Sequence, residues 1–177
     1  MIRKTLIAAT LFVAACAAPY DLPAGDHTAI AARISTFERA FSKGDAAEVI
    51  RVVPPRMMST IAAKRGIPVQ DLRRGMIRLT KQATAKVKVV SFGMALDQAK
   101  FLTTPSGRPY GLIPTQTVIQ TPRGITLQSN TNTLTMEEGG KWYLLRIDDE
   151  NQIDLMREVY PDFKGVSFPK GTSKVIG

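Results

Sequence analysis

The hydrophobic residues of this chain change their spacing near residue 86, from a helical period to a strand period. Before that point, one stripe of the first predicted helix holds apolar residues at positions i, i+4, i+7 and i+11: Ile30, Ile34, Phe37 and Phe41. After it, valine-rich segments alternate in character and are separated by glycine-containing turns. Helices followed by consecutive antiparallel strands predict an α+β domain, with N-terminal helices packed on a curved antiparallel sheet of about four strands.

Four helices are predicted before the change of period: residues 27–43, a short helix from residue 45, residues 57–64 and residues 68–83. Asp26 and Asp45 are suited to cap the first two, because an aspartate side chain accepts hydrogen bonds from the free N–H groups of the first turn. Pro54 and Pro55 stop the second helix, because proline has no N–H to donate.

Four strands are predicted after it: residues 86–97, 110–121, 125–136 and 142–148. In the first of these strands the apolar residues alternate with polar ones only irregularly, which allows a bulge. Pro114 predicts that the second strand lies at a sheet edge or contains a bulge, because proline donates no hydrogen bond to a ladder. Residues 150–158 are predicted to form one or two helical turns, and residues 161–177 an irregular tail.

The first fifteen residues have the parts of a bacterial export signal. Arg3 and Lys4 are followed by an uncharged, mostly apolar run over residues 5–15. That run is too short to cross a bilayer, which needs about 20 residues, and has the length of the apolar part of a signal peptide. It ends in Val13-Ala14-Ala15-Cys16, which resembles the lipobox of bacterial lipoproteins.

The lipobox resemblance implies cleavage before Cys16 and lipidation of its thiol. Residues 1–15 are then the signal peptide and residues 16–25 a lipidated tether. Ala17 stands where an aspartate would favour retention in the inner membrane, so the resemblance implies the periplasmic face of the outer membrane. Several acyl chains anchor a protein stably where one is marginal. The alternative is ordinary signal-peptidase cleavage, which Ala15-Cys16-Ala17 would also permit.

Two segments resemble nuclear-transport-factor-2-like domains. FERAFSKGD, residues 37–45, is similar to their first helix, and GGKWYLLRI, residues 139–147, is similar to their closing strand. The order of elements from about residue 26 to 149 also matches. The resemblance implies a cone-shaped, cystatin-like domain over residues 26–160, with a pocket between the helices and the concave sheet face. Members of the family often dimerise, so it also implies a homodimer.

Cysteine and histidine each occur once, as Cys16 and His27. A single cysteine excludes an intramolecular disulfide and a cysteine-rich zinc site. A single histidine excludes a multi-histidine metal site within one chain. We therefore predict no metal and no cofactor.

The charge of the chain is strongly positive. The formal net charge is +9, and removal of residues 1–15 leaves 22 basic and 15 acidic residues, or +7. Residues 29–95 alone contain 13 basic and 4 acidic side chains. Such an excess favours an anionic lipid, a cell-wall polymer or an acidic envelope protein as partner, while export disfavours nucleic acid. A solvated basic surface without a dedicated partner explains the charge equally well.

Enzymes of the resembled family, such as ketosteroid isomerases, dehydratases and polyketide cyclases, use an Asp, His or Tyr buried in the pocket. Burial raises the pKa of a carboxyl group, so that it can act as a base near neutral pH. Asp97 and Asp148 are the candidates here, with Tyr110 and Tyr143 as donors. The sequence departs from the family pattern, because no histidine lies near the pocket and no aspartate lies within a strand among apolar neighbours.

The third predicted strand is polar on both faces. Gln128, Asn130 and Asn132 share one face, from which they could orient a ligand in an otherwise apolar pocket. Serine and threonine occupy the alternate positions, residues 129, 131 and 133. The alternation does not reveal which face is internal, and an exposed strand remains the alternative.

A basic cluster on the fourth predicted helix is suited to contact phosphates or lipid head groups. It comprises Arg73, Arg74, Arg78 and Lys81. A solvated helix face explains it equally well.

These features predict a membrane-anchored, non-catalytic envelope lipoprotein that binds a protein partner or an apolar ligand. The alternative function is a pocket enzyme of the isomerase, dehydratase or cyclase kind, with Asp97 or Asp148 as its base. A carboxylate enclosed in the pocket distinguishes the two, because only the enzyme requires one.

Overall fold

A computed structural model of the protein describes residues 17–177. The predicted signal peptide and the predicted lipidation site, Cys16, lie outside the described residues. Within them, the chain forms five α-helices and one antiparallel sheet of seven strands, which confirms the predicted α+β class.

The helices are α1 Ala24–Ser42, α2 Ala46–Ile50, α3 Pro55–Lys64, α4 Val69–Ala85 and α5 Glu150–Val159. Asp45 caps α2 as predicted and accepts hydrogen bonds from the N–H groups of Ala47 and Glu48, both at 3.1 Å. Helix α1 begins earlier than predicted, and Asp26 lies inside its first turn. There Asp26 accepts a hydrogen bond from Nε1 of Trp142 at 3.0 Å, which ties the start of α1 to the sheet.

The strands are β1 Ala18–Pro19, β2 Lys88–Met94, β3 Lys100–Thr103, β4 Pro109–Gln120, β5 Thr126–Glu138, β6 Lys141–Arg146 and β7 Thr172–Val175. The four predicted strands correspond to β2, β4, β5 and β6. The sheet exceeds the predicted number because β1, β3 and β7 are short segments that pair with residues distant in sequence.

Strands β4 and β5 pair along their whole length and form the centre of the sheet. On the other side of β4, β3 pairs with residues 109–112 and β2 with residues 115–120. Pro114 lies in the gap between these partners, and its carbonyl accepts a hydrogen bond from the Ala95 N–H at 2.9 Å. A central strand therefore tolerates the proline where its neighbour is interrupted, so Pro114 marks neither an edge strand nor a bulge.

Helix α1 packs on one face of the sheet. Its buried Ile30 and Ile34 form a core with Ile113 of β4 and with Trp142 and Leu144 of β6. Full burial of each large apolar side chain contributes about 1.5–3 kcal/mol, so this contact holds the helical layer against the sheet. The core on the opposite sheet face is formed mainly by residues that follow β6, together with Met57 of α3.

The segment 161–177 differs from the irregular tail that the sequence predicts. Phe163, Val166 and Phe168 are buried on the sheet face opposite α1, against Tyr110 and Met156. The segment then ends in β7, which pairs with residues 127–130 of β5. These apolar side chains gain burial by folding back, which accounts for the order of the segment.

The predicted tether, residues 16–25, is also attached to the domain where the structure describes it. Ala18 and Pro19 pair with Thr103 and Leu102 of β3, and the Tyr20 N–H donates to the Phe101 carbonyl at 3.0 Å. Pairing of this segment satisfies main-chain groups that a free tether would leave to water. The described chain is therefore paired with the sheet from Ala18 onwards.

Candidate functional site

A cavity of about 500 Å³ lies between the N-terminal helices and the sheet face that carries α1. Small-molecule sites typically enclose about 300–1,000 Å³. The described lining is mostly apolar, with a minority of hydroxyl groups and one charged residue, Arg146. The apolar residues are Phe37, Phe41, Val49, Ile50, Val52, Val53, Ala83, Val87, Val89, Phe92, Met94, Ile119, Leu144 and Leu145. The hydroxyl residues are Thr84, Thr115, Thr117, Ser129, Thr131 and Thr133.

Hydroxyl groups from β4 and β5 form the floor of the cavity. The register places Thr115 opposite Thr131 and Thr117 opposite Ser129, so these side chains share one face. The hydroxyls of Thr115 and Thr133 hydrogen-bond each other at 2.8 Å. The Thr117 and Thr131 hydroxyls make no hydrogen bond within the described part of the chain. The floor therefore presents two free hydroxyl groups, those of Thr117 and Thr131, among apolar side chains.

Three phenylalanines form one wall. Phe92 of β2 lies 5.5 Å from Phe37 and 4.8 Å from Phe41, between ring centroids, and the two α1 rings lie 5.9 Å apart. Phe92 is tilted against both α1 rings, which stack on each other. Such aromatic contacts add about 0.5–1.5 kcal/mol to the effect of burial. The wall is thus fixed by both α1 and β2.

A bulge in β2 places Phe92 on the face of the strand that lines the cavity. The ladder to β4 shifts register between Val89 and Ser91, which confirms the bulge that the loose alternation predicts. Val89 therefore lies opposite Ile119 and Phe92 opposite Thr117, both on the cavity face. Without the extra residue, Val89 and Phe92 would point to opposite faces.

The segment between α2 and α3 closes another side. The main-chain carbonyl of Val52 accepts a hydrogen bond from the Leu144 N–H of β6 at 3.0 Å. This bond joins the helical layer to the edge of the sheet. It also places Val52 and Val53 at the cavity, a position that no local sequence pattern indicates.

The predicted ligand-binding residues Gln128, Asn130 and Asn132 lie on the opposite face of β5. Their alternates Ser129, Thr131 and Thr133 line the cavity instead. Asn130 is exposed, and its side-chain oxygen accepts hydrogen bonds from Gln116 at 3.2 Å and Gln128 at 3.3 Å. The polar face proposed from sequence is therefore a solvated amide cluster. The cavity is lined by the other face of β5, which carries Ser129, Thr131 and Thr133.

The carboxylates predicted as catalytic bases do not line the cavity. Asp97 is exposed in a short 3-10 turn, Leu96–Gln98, between β2 and β3. Asp148 follows β6 and accepts hydrogen bonds from Arg146, with the Nε to Oδ2 distance at 2.8 Å. Its other carboxylate oxygen, Oδ1, is buried without a partner in the described structure. Asp148 therefore lies beside the cavity lining and is bonded to it through Arg146.

The tyrosines predicted as donors are buried away from the cavity floor. Tyr110 packs edge-on against Phe163, with 5.4 Å between ring centroids, in the core on the opposite sheet face. Burial raises the pKa of the Tyr110 phenol, which keeps it protonated in this core. Tyr143 is buried on β6 beneath the Arg33 guanidinium, 5.4 Å from its ring centroid. Neither residue lines the cavity.

The predicted basic cluster on α4 is divided between two sides of the helix. Arg74, Arg78 and Lys81 are exposed, and their spacing of four and three residues places them on one face. Arg73 is half-buried and points away from that face. Arg74 is paired with Asp71 one turn earlier. The exposed group is thus smaller than the sequence suggests and lies outside the cavity lining.

Among residues 17–177, no group of three or more His, Cys, Asp or Glu side chains lies close enough to hold a metal ion. None of the helices in this range combines the length and the apolar composition needed to cross a membrane.

Comparison of the chain with models of known protein families, with curated proteins and with solved structures gives no match.

Proposed function

We propose that this protein is a bacterial envelope lipoprotein whose domain holds an apolar small molecule without converting it. The cavity carries the proposal, because an apolar space of about 500 Å³ has the size and lining of a small-molecule site. Transfer of apolar surface from water into such a space is favourable by about 25 cal/mol per Å². The free hydroxyls of Thr117 and Thr131 would orient the molecule.

Binding rather than turnover is supported by the chemistry of the lining. Proton transfer needs an acid or a base within hydrogen-bond reach of the substrate. The described lining contains no Asp, Glu, His, Tyr, Lys or Cys. Its hydroxyls have no neighbouring base to activate them as nucleophiles. Asp97 and Asp148 are not part of the lining, and the Oδ2 atom of Asp148 is engaged by Arg146 at 2.8 Å.

A nuclear-transport-factor-2-like, cone-shaped domain forms part of the proposal. The placement of α1, α2 and α4 beside the cavity, against an antiparallel sheet, supports it, because pockets in that family lie between helices and sheet. The bulge in β2 adds support, because a bulge bends a strand and increases its twist.

We further propose that lipid on Cys16 anchors the protein at the periplasmic face of the outer membrane. Because β1 begins at Ala18, only a short segment would join the lipid to the sheet, and the domain would rest close to the bilayer. β1 and β3 lie beside the start of β4, whereas the cavity floor lies near its end. Pro109 and Thr117 are about 27 Å apart along the strand, which separates anchor from cavity.

The substitution Thr117→Phe is expected to weaken apolar binding at least about tenfold, because a ring on the floor fills the cavity centre. The measurement is fluorescence titration with N-phenyl-naphthylamine, an uncharged dye that brightens in apolar surroundings. The protein is the unlipidated mature chain, residues 16–177 with Cys16→Ser, purified without detergent.

The matched control is Gln116→Phe, at the next residue of the same strand. Gln116 is exposed on the opposite face, so the added ring leaves the cavity unchanged. Circular dichroism and thermal melting verify that both variants fold. Equal dye affinity in the two variants, or no dye binding by the unmodified cavity, would exclude the cavity as the binding site.

A further inference from the structure

Arg146 brings a positive charge to an otherwise uncharged cavity. It is the last residue of β6 and lies opposite Thr133, so its side chain shares the face of the cavity floor. Leu144, two residues earlier on the same face, is buried at the inner wall. The Arg146 side chain is 67% exposed, which places its guanidinium at the mouth of the cavity.

Asp148 holds this guanidinium in place. Its Oδ2 accepts hydrogen bonds from Nε and Nη2 of Arg146, and its side chain is only 13% exposed. The Nη1 group makes no hydrogen bond to any residue in the described range. A guanidinium fixed in this way keeps donors available for a carboxylate or phosphate, whose oxygens match its planar geometry.

Two further cations lie at the other end of the cavity, because Lys88 pairs with Gln120 of β4 whereas Arg146 lies level with Ile113. Lys86 and Lys88 flank Val87 of the cavity lining, and both are exposed. Neither takes part in any of the seven ion pairs found among residues 17–177. An excess of unpaired cations raises the local concentration of anions.

Carboxylates next to the cavity are engaged by other groups. Glu38, beside Phe37 in sequence, accepts a hydrogen bond from the Met94 N–H at 3.1 Å. Glu48, beside Val49, pairs with Arg51 at 2.9 Å. Both carboxylates are thus engaged by protein groups, and Asp148 is the carboxylate that contacts Arg146 itself.

We propose that the ligand is an amphipathic anion, with a hydrocarbon body in the cavity and one carboxylate or phosphate group bound by Arg146. This inference rests on the proposed function of the cavity and specifies the chemistry of its ligand. The apolar walls take the hydrocarbon part, and the single fixed cation at the mouth takes the single head group. Arg146 thereby sets specificity for an acid over the corresponding alcohol.

The test is competition against the bound dye with three molecules of equal chain length: dodecanoic acid, dodecyl phosphate and dodecan-1-ol. We expect the acid or the phosphate to compete with the dye with an affinity about tenfold higher than that of the alcohol, because one charge-assisted hydrogen bond contributes about this much. Arg146→Gln should abolish this preference, so that the acid, the phosphate and the alcohol displace the dye equally. The stronger of the two anions identifies the head group.

The control is Arg65→Gln, which removes the same charge from an exposed residue outside the cavity lining. It should retain the preference for the anions. Equal affinity for acid, phosphate and alcohol, or a preference that survives Arg146→Gln, would overturn the inference while leaving the cavity as an apolar site. Failure of the dye itself to bind would refute the proposed function, so the two failures are distinguishable.

Discussion

Phe163→Ala is expected to lower the free energy of unfolding by about 3–5 kcal/mol, the usual cost of truncating a fully buried phenylalanine. Phe163 has no exposed surface and contacts Tyr110 and Phe168, with ring centroids 5.4 and 6.1 Å away. Domains are typically stable by about 5–15 kcal/mol, so this loss would leave the variant marginal. Urea unfolding followed by circular dichroism measures it.

Ile176→Ala is the matched control in the same C-terminal segment. Ile176 is 48% exposed, so the change should alter the unfolding free energy by about 0.5 kcal/mol or less. Deletion of residues 161–177 should unfold the domain, because it removes β7 together with three buried residues of the core on the sheet face opposite α1. A folded deletion variant with the stability of the intact chain would show that the segment is a dispensable tail.

Cys16→Ser is expected to move the protein almost completely from the membrane fraction to the soluble periplasmic fraction. Stable anchoring requires two or more acyl chains, and the substitution removes the thiol that would carry the first. Fractionation of cells with immunoblotting measures the distribution. The mass of the intact mature protein should exceed that of residues 16–177 by the mass of the lipids, and only when Cys16 is present.

Ala17→Ser serves as the control and should leave the protein in the membrane, because it keeps the cysteine at the cleavage site. Membrane association that persists in Cys16→Ser would contradict lipid anchoring. A wash at high salt would then test the exposed residues Arg74, Arg78 and Lys81, because contacts of surface charges with anionic lipid weaken as salt is raised.

Local signals in the sequence were sufficient for the fold class. The apolar stripe of α1, the cap at Asp45 and the valine-rich strands each act over a few residues, and each predicts the element that the structure contains. The positions of glycine also mark real turns. Gly44 and Gly124 adopt φ angles of 69° and 80°, which residues with a side chain rarely adopt.

Elements stabilised by distant partners were not predictable in the same way. β1 is two residues long, and the exposed β7 pairs with a segment more than 40 residues earlier. Such strands have no periodic pattern, because their order depends on the neighbouring strand more than on their own composition. The buried residues after Pro161 are apolar, but they follow the last segment of the chain whose apolar residues have a helical or strand period.

The cavity was located only in part by sequence. A pocket between helices and sheet followed from the family resemblance, but the residues chosen on β5 lie on its other face. Because side chains alternate between the two faces of a strand, assigning Gln128 instead of Ser129 to the cavity assigns every other residue of β5 to the wrong face as well. The face is set by long-range packing of Leu134 and Met136 under the C-terminal segment. Arg146 was missed because its role depends on the register of β6.

The most direct test of the central claim is mass spectrometry of small molecules extracted from the protein after purification from its own membranes in mild detergent. We predict one amphipathic molecule in near-stoichiometric amount in the native protein and in Gln116→Phe, and its loss in Thr117→Phe. The Gln116→Phe variant controls for lipid carried over from the membrane. Absence of such a molecule in the native protein, or equal amounts in both variants, would contradict a ligand-binding cavity.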